Sequence, residues 1–126
     1  GDDENADVVK SYFAMRSFTV ENDGQGIPRF CLNHTPCFLH GVLDQGYWSD
    51  GLYTAPSDEA MVWDIAVMKR HGFNMLRKHI KIEPDRWYYH CDRLGMIVFQ
   101  DMVNNGDYAY IRDTVLPTFL EPFINT

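Results

Sequence analysis

Three groups of polar side chains in this 126-residue sequence follow directly on short apolar runs. Asp44 and Gln45 follow Gly41-Val42-Leu43; Arg77, Lys78 and His79 follow Met75-Leu76; Gln100 and Asp101 follow Ile97-Val98-Phe99. A further set, Tyr47, Trp48, Asp50 and Tyr53, lies in the Gly-rich stretch just after the first group. These residue types suit recognition of a polyhydroxylated ring. Carboxylates and amides grip hydroxyls in fixed directions, and planar aromatics stack on apolar ring faces. The same pattern also serves plain solvation, because a strand that ends must return its chain to water.

Two other constellations use reactive residue types without the geometry to match. Cys31, His34, Cys37 and His40 have zinc-ligand spacing. If Asn33-His34 is a hairpin turn, however, Cys31 lies opposite Pro36 and Cys37 opposite Phe30, so the two thiols point to opposite faces. They are read as packed thiols beside ordinary histidines, with no metal ligand assigned. His90 and Cys91 do not make a nucleophilic pair, since neighbours on a helix point about 100° apart.

The elements that would position the polar groups are legible. Residues 8–20 alternate in the manner of a strand. Asn22-Asp23-Gly24-Gln25-Gly26 is turn chemistry. A hairpin is expected from residues 28–32, a turn at Asn33-His34 and a second strand over residues 35–43. Ser57 is a good N-cap, and Asp58 and Glu59 suit the positive end of a helix dipole. Met61, Ile65 and Met68 give residues 58–71 an apolar stripe, which Gly72 closes. Residues 73–78 read as a short strand. Pro84 opens a second helix with Trp87, Cys91 and Leu94 on its apolar side, and Gly95 closes it. Trp63, Trp87, Tyr88 and Tyr89 are expected to pack between elements. Residues 96–99 read as a strand covered on both faces. A turn is expected at Asn104-Asn105-Gly106-Asp107 and a short helix within residues 110–120.

The order from the second hairpin strand is β-α-β-α-β, which implies a parallel sheet. Aligning the two helix-to-strand stretches on Gly72 and Gly95 puts Arg77 level with Gln100 and Lys78 with Asp101. A single βαβαβ piece is too small to bury both faces of its sheet, so it belongs to a closed barrel or a larger wound sheet. In a parallel barrel, side chains at the C-terminal strand ends face the ligand.

Bulk properties narrow the classes. The chain is 45% apolar and 14% aromatic, a composition that folds. Its net charge of −7 argues against a nucleic-acid surface. No apolar run approaches the ~18 residues of a membrane span, and no signal-peptide pattern is visible. Three cysteines are poor material for a disulfide framework.

The ordered set Leu39-x-Gly41-Val42, Asp64-Ile65-x-x-Met68-Lys69, Phe73-Asn74-x-x-Arg77, Trp87-Tyr88-x-x-Cys91-Asp92-x-x-Gly95 and the strand ending at Asp101 resembles glycoside hydrolase family two, which includes β-galactosidases, β-glucuronidases and β-mannosidases. The likeness spans roughly residues 27–102. It implies an α/β fold: about the first three β/α units of a (β/α)8 TIM barrel, over residues 26–126. Residues 1–25 would be a polar tail and the last strand of a preceding β-sandwich domain. It also implies a retaining hydrolase working through two glutamates about 5 Å apart; no cofactor is assigned. Those come from the fourth and seventh barrel strands, beyond this chain's C-terminus, so no catalytic residue is assigned and the fragment alone is expected to be inactive.

What carries over is the rim of the sugar site. Arg77 matches the family's Asn-x-x-Arg position. Asp101 falls where the family often has the Glu of an Asp-Glu pair, and Gln100 replaces that Asp. Asp44, Trp48 and His79 complete the expected substrate-binding set, with a β-glycoside as ligand. The family's Arg-x-Ser-His becomes Arg77-Lys78-His79-Ile80, and its Gly-Val-Asn-Arg-His-Glu becomes Gly41-Val42-Leu43-Asp44-Gln45-Gly46. The rival readings are a non-catalytic carbohydrate-binding α/β module and a small α/β interaction protein. Open sheet edges and the apolar residues 96–99 predict that the isolated chain associates with itself.

Overall fold

A computed structural model describes residues 7–102. The turn expected at Asn104-Asn105-Gly106-Asp107 and the helix expected within residues 110–120 lie outside the described residues. Two three-stranded sheets organise the described chain. β1 (Phe18–Asn22), β2 (Pro28–Leu32) and β3 (Thr35–Pro36) form an antiparallel sheet. β4 (Gly41–Asp44), β5 (Met75–Lys78) and β6 (Ile97–Gln100) form a parallel one, with α1 (Asp58–Arg70) and α2 (Asp85–Leu94) as the crossovers.

The hairpin turn forms as its chemistry dictates. Asn33 and His34 both adopt positive φ, 50° and 63°, the requirement of a turn whose twist matches two antiparallel strands. The register pairs Leu32 with Thr35 and Cys31 with Pro36, and the Cys37 amide donates to the Phe30 carbonyl at 2.8 Å. Cys31, Cys37 and Cys91 are all free thiols.

The strand expected over residues 35–43 is instead two strands in two sheets. β3 ends at Pro36, whose ring nitrogen has no hydrogen to donate. The Asn74 side chain then stabilises the break. Its amide oxygen accepts from the His40 amide at 2.8 Å, and its nitrogen donates to the Phe38 carbonyl at 2.8 Å. The strand expected over residues 8–20 is also shorter. Only β1 is a strand, because only there does β2 offer a partner. The preceding arm is tied down by side chains: the Tyr12 hydroxyl donates to Asp92 at 2.8 Å, and Arg16 pairs with Asp92 at 2.5 Å.

Both helices start and stop where local chemistry places them. The Ser57 hydroxyl accepts from the Ala60 amide at 3.2 Å, Gly72 takes φ +87°, and Gly95 closes α2 in the left-handed conformation. Met61 and Ile65 of α1, Trp87 and Cys91 of α2, Leu76 and Met96 form one buried cluster. Burying each such large apolar side chain is worth about 1.5–3 kcal/mol. Trp63 is not part of it. Expected as packing, it is 62% exposed, because it lies about 200° around α1 from Met61. Tyr89 is 40% exposed and packs in part, with its ring against Tyr12 in an edge-to-face contact.

One register differs from the expectation. Arg77 pairs with Phe99, and Lys78 with Gln100. β5 begins three residues after Gly72 but β6 only two after Gly95, so aligning the glycines misplaces the strands by one. Phe99 and Leu43 remain substantially exposed on the sheet face away from the helices, so β6 is not covered on both faces among the described residues.

Candidate functional site

The period-two alternation of a strand sorts the polar strand ends onto two faces. Val42, Leu76 and Val98 pack toward the helices. Asp44, Lys78 and Gln100, two residues on, therefore share the helix side. Leu43, Arg77 and Phe99 line the opposite, open face, and Gln45, His79 and Asp101 continue it at the C-terminal edge. The ladder runs on to this edge: the His79 amide donates to the Asp44 carbonyl at 2.8 Å, and the Asp101 amide to the Lys78 carbonyl at 3.0 Å.

On the open face, Arg77 and Asp101 bind each other through two parallel hydrogen bonds, Nε to Oδ1 at 3.0 Å and Nη2 to Oδ2 at 2.9 Å. This fork-to-fork geometry fixes the orientation of both groups. Hydrogen bonding from Arg77 holds the Asp101 carboxyl below the usual carboxylate range, and Asp101 in turn raises the Arg77 guanidinium. Beside them the Gln45 side chain meets His79 Nδ1 at 3.0 Å. With the amide nitrogen as donor, Nδ1 accepts and the imidazole proton sits on Nε2.

The helix side holds a different arrangement. Lys78 is 1% exposed. Its ammonium donates to Asp44 Oδ2 at 2.7 Å and Glu83 Oε1 at 2.9 Å, and lies 4.3 Å from the centroid of the Trp87 ring. Lys81 shares Glu83 Oε1 at 2.9 Å and donates to the carbonyls of Gly46 and Tyr53 at 2.8 and 2.7 Å. Gln100 accepts from the Tyr88 hydroxyl at 2.5 Å and donates to the Lys81 and Asp101 carbonyls, each at 2.8 Å. These bonds join the loop after β4 to the loop after β5. Gly46, at φ +65°, sits so tightly in the joint that a Cβ there would lie 2.3 Å from Glu83 Oε1. Beyond the cluster, burial raises the Asp64 carboxyl, helped by nearby Asp44.

Residues 26–110 match the family described as glycosyl hydrolases family 2, TIM barrel domain. The chain belongs to this family. A β-galactosidase of Lactococcus lactis is 31% identical over 91 residues, covering 71% of the chain and 9% of the relative. One from Leuconostoc mesenteroides is 28% identical over 100 residues, covering 74% and 10%. The chain thus spans about a tenth of the length of these curated relatives. A β-glucuronidase structure from Parabacteroides merdae superposes with a TM-score of 0.61 at 21% identity, covering 75% of this chain and 12% of that one. The exo-chitosanase of Amycolatopsis orientalis gives 0.61 at 21% identity, covering 79% and 11%. These likenesses establish the fold.

In this family 2 chain, the six residues expected to bind substrate divide. Arg77, Asp101 and His79 come together at the open face. Asp44 and Gln100 are on the helix side and have their polar atoms engaged there. Trp48 is half-buried against the apolar cluster, while its neighbours Tyr47 and Tyr53 are exposed. Sequence reasoning missed Lys78, Lys81 and Glu83 as members of one buried ionic cluster. A signal existed: Lys78 shares the alternation phase of Leu76, which marks it as inward-facing.

Proposed function

We propose that the protein carrying this chain hydrolyses the O-glycosyl bond of β-glycosides with retention of configuration, and that Arg77, Asp101 and His79 contact the sugar. The observation that supports this best is the bidentate Arg77–Asp101 pair on the open face of a family 2 barrel sheet. Asp101 is ionised at neutral pH and so accepts from hydroxyls rather than acting as an acid. Both of its oxygens are engaged by Arg77, which also makes it a poor nucleophile. The guanidinium has further N–H groups to donate to ring hydroxyls, and His79 Nε2 adds another donor. Asp44, Gln100 and Trp48 act from behind by holding the loops that frame this face. Residues 7–22 lead in from a preceding β-sandwich domain. The acid and nucleophile are the two glutamates the family places on later strands, so the 126-residue chain alone is inactive.

The test uses the intact protein against nitrophenyl β-galactoside, β-glucuronide and β-mannoside, with galactosides first because curated relatives are named β-galactosidases. Proton NMR should show the β-anomer as first product. Asp101→Ala should lower kcat/KM by about 10- to 100-fold, the worth of a charged hydrogen bond, at unchanged Tm. Absence of turnover despite sugar binding would instead make the protein a carbohydrate-binding module, and an inverted product would refute retention.

A further inference from the structure

We infer that Tyr47 and Tyr53 form a second carbohydrate subsite, which takes the sugar ring next to the one held by Arg77, Asp101 and His79. The inference rests on the proposed glycosidase reading for the identity of the neighbouring site. The two rings stand side by side with centroids 4.6 Å apart and planes at 41°, and their hydroxyls are hydrogen-bonded to each other. Both residues are 58% exposed. They border a cavity of about 100 Å³ whose other walls are Gln45, His79, Ile80 and Lys81. Gln45 and His79 are the hydrogen-bonded pair of the open face, so this cavity continues the candidate sugar site outward.

The tyrosines are held in place before any ligand arrives. Trp48 and Leu52 exchange two backbone hydrogen bonds, at 2.7 and 3.0 Å, and so close a small loop that sets Tyr47 and Tyr53 on its two flanks. From beneath, the Lys81 ammonium fastens both flanks through the Gly46 and Tyr53 carbonyls. Leu52, within that loop, and Ile80, in the cavity wall, are non-glycine residues held at φ +54° and +48°. Such conformations persist where surrounding contacts over-determine the backbone, and they cluster at ligand sites. A surface fixed in this way loses little freedom on binding.

The chemistry of the walls selects the ligand class. The tyrosine faces offer an apolar wall to the C–H-rich side of a pyranose. The phenol hydroxyls, the Gln45 amide and the His79 imidazole offer polar groups to its equatorial hydroxyls. The Lys81 charge is taken up by Glu83 and two carbonyls, so the subsite suits a neutral sugar rather than an anion. A volume of about 100 Å³ holds part of a ring while the rest lies over the aromatic faces.

The test is calorimetric titration of the intact protein with sulfur-linked β-disaccharides, which resist hydrolysis, and with the methyl thioglycoside of the same first sugar. Tyr47→Ala and Tyr53→Ala should each weaken disaccharide binding by about tenfold, on the scale of a lost aromatic contact, and leave the methyl thioglycoside unchanged. Tyr47→Phe and Tyr53→Phe, which keep the rings, should retain most of the disaccharide affinity and show that the loop still folds. Equal losses for both ligands, no loss for either, or no disaccharide binding by the unaltered protein would overturn the subsite. If β-glycosides are hydrolysed but disaccharide affinity ignores these substitutions, the subsite fails and the glycosidase reading stands. Tyrosine-dependent binding without hydrolysis would give the reverse.

Discussion

Replacing Lys78 by Met should destabilise the chain severely, although Met fits the space and is apolar. The ammonium is the bond between two carboxylates, Asp44 at 2.7 Å and Glu83 at 2.9 Å. Removing one partner of a buried ion pair costs about 3–5 kcal/mol, because the opposite charge stays behind unpaired. Here the remainder is partly compensated. Glu83 keeps Lys81 at 2.9 Å, and Asp44 keeps the Gly46 amide at 2.7 Å. The low end, about 3 kcal/mol, is therefore expected. With a urea slope of about 1.5 kcal/mol per M, the unfolding midpoint of the 126-residue chain should fall by about 2 M. Trp87 fluorescence should report the change directly, since the ammonium lies over its ring. Adding Asp44→Asn to Lys78→Met removes the stranded charge and should recover at least about 1 kcal/mol of the loss. If Lys78→Met is as stable as the parent, or if Asp44→Asn worsens it additively, the cluster does not bind the loops as described.

Gly46→Ala should cost about 1–3 kcal/mol by strain and by crowding Glu83, measured as a fall in Tm at fixed protein concentration. Burial pushes the Cys91 thiol up to about 12. Its folded pKa thus lies above the unfolded value near 8.5, so the contribution to stability is intact below pH ~8 and declines as pH rises toward 12. Urea midpoints of parent and Cys91→Ala should therefore converge as pH rises above about 9, and parallel curves would contradict this. A disulfide-exchange reagent at pH 8 should label Cys37 first and reach Cys31 and Cys91 only in urea, because the latter two are buried. The isolated chain should self-associate through the open face bearing Leu43 and Phe99 and through the sheet edges unpaired among the described residues. Sedimentation equilibrium giving a monomer at all concentrations would rule that out.

What the sequence revealed was whatever a few neighbouring residues decide. Ser57, Gly72 and Gly95 mark helix ends because capping is a local reaction of backbone groups, and Asn33-His34 marks its turn for the same reason. The family likeness likewise rests on residues in order along the chain. The misreadings arose where the deciding partner was distant. Residues 35–43 are mostly apolar and show no turn signal between the two strands, and the break at residues 37–40 is stabilised by Asn74, far along the sequence. Asp101 and Gln100 were both placed at the sugar site, but neighbours on a strand face opposite ways, and the phase depends on a one-residue difference between two loops. Trp48, Tyr47 and Tyr53 occupy an irregular loop that has no period from which to read direction. There a wide indole was the natural choice for a sugar platform, and the structure turns it toward the core instead.

The Asn74 amide has a consequence for how the chain opens. Its side chain holds both ends of the link from the hairpin to the parallel sheet, while its backbone amide bonds the His40 carbonyl and its backbone carbonyl accepts from the Ile97 amide. With a longer contact from its side-chain nitrogen to Cys37 Sγ at 3.9 Å, one residue thus makes five hydrogen bonds between the β3–β4 link and the start of β6. The His40 imidazole, 3.3 Å from the Gly72 carbonyl, and the Phe30 ring against Phe99 add further contacts between the two sheets. The two sheets, one antiparallel and one parallel, should therefore exchange their amide hydrogens as a single cooperative unit.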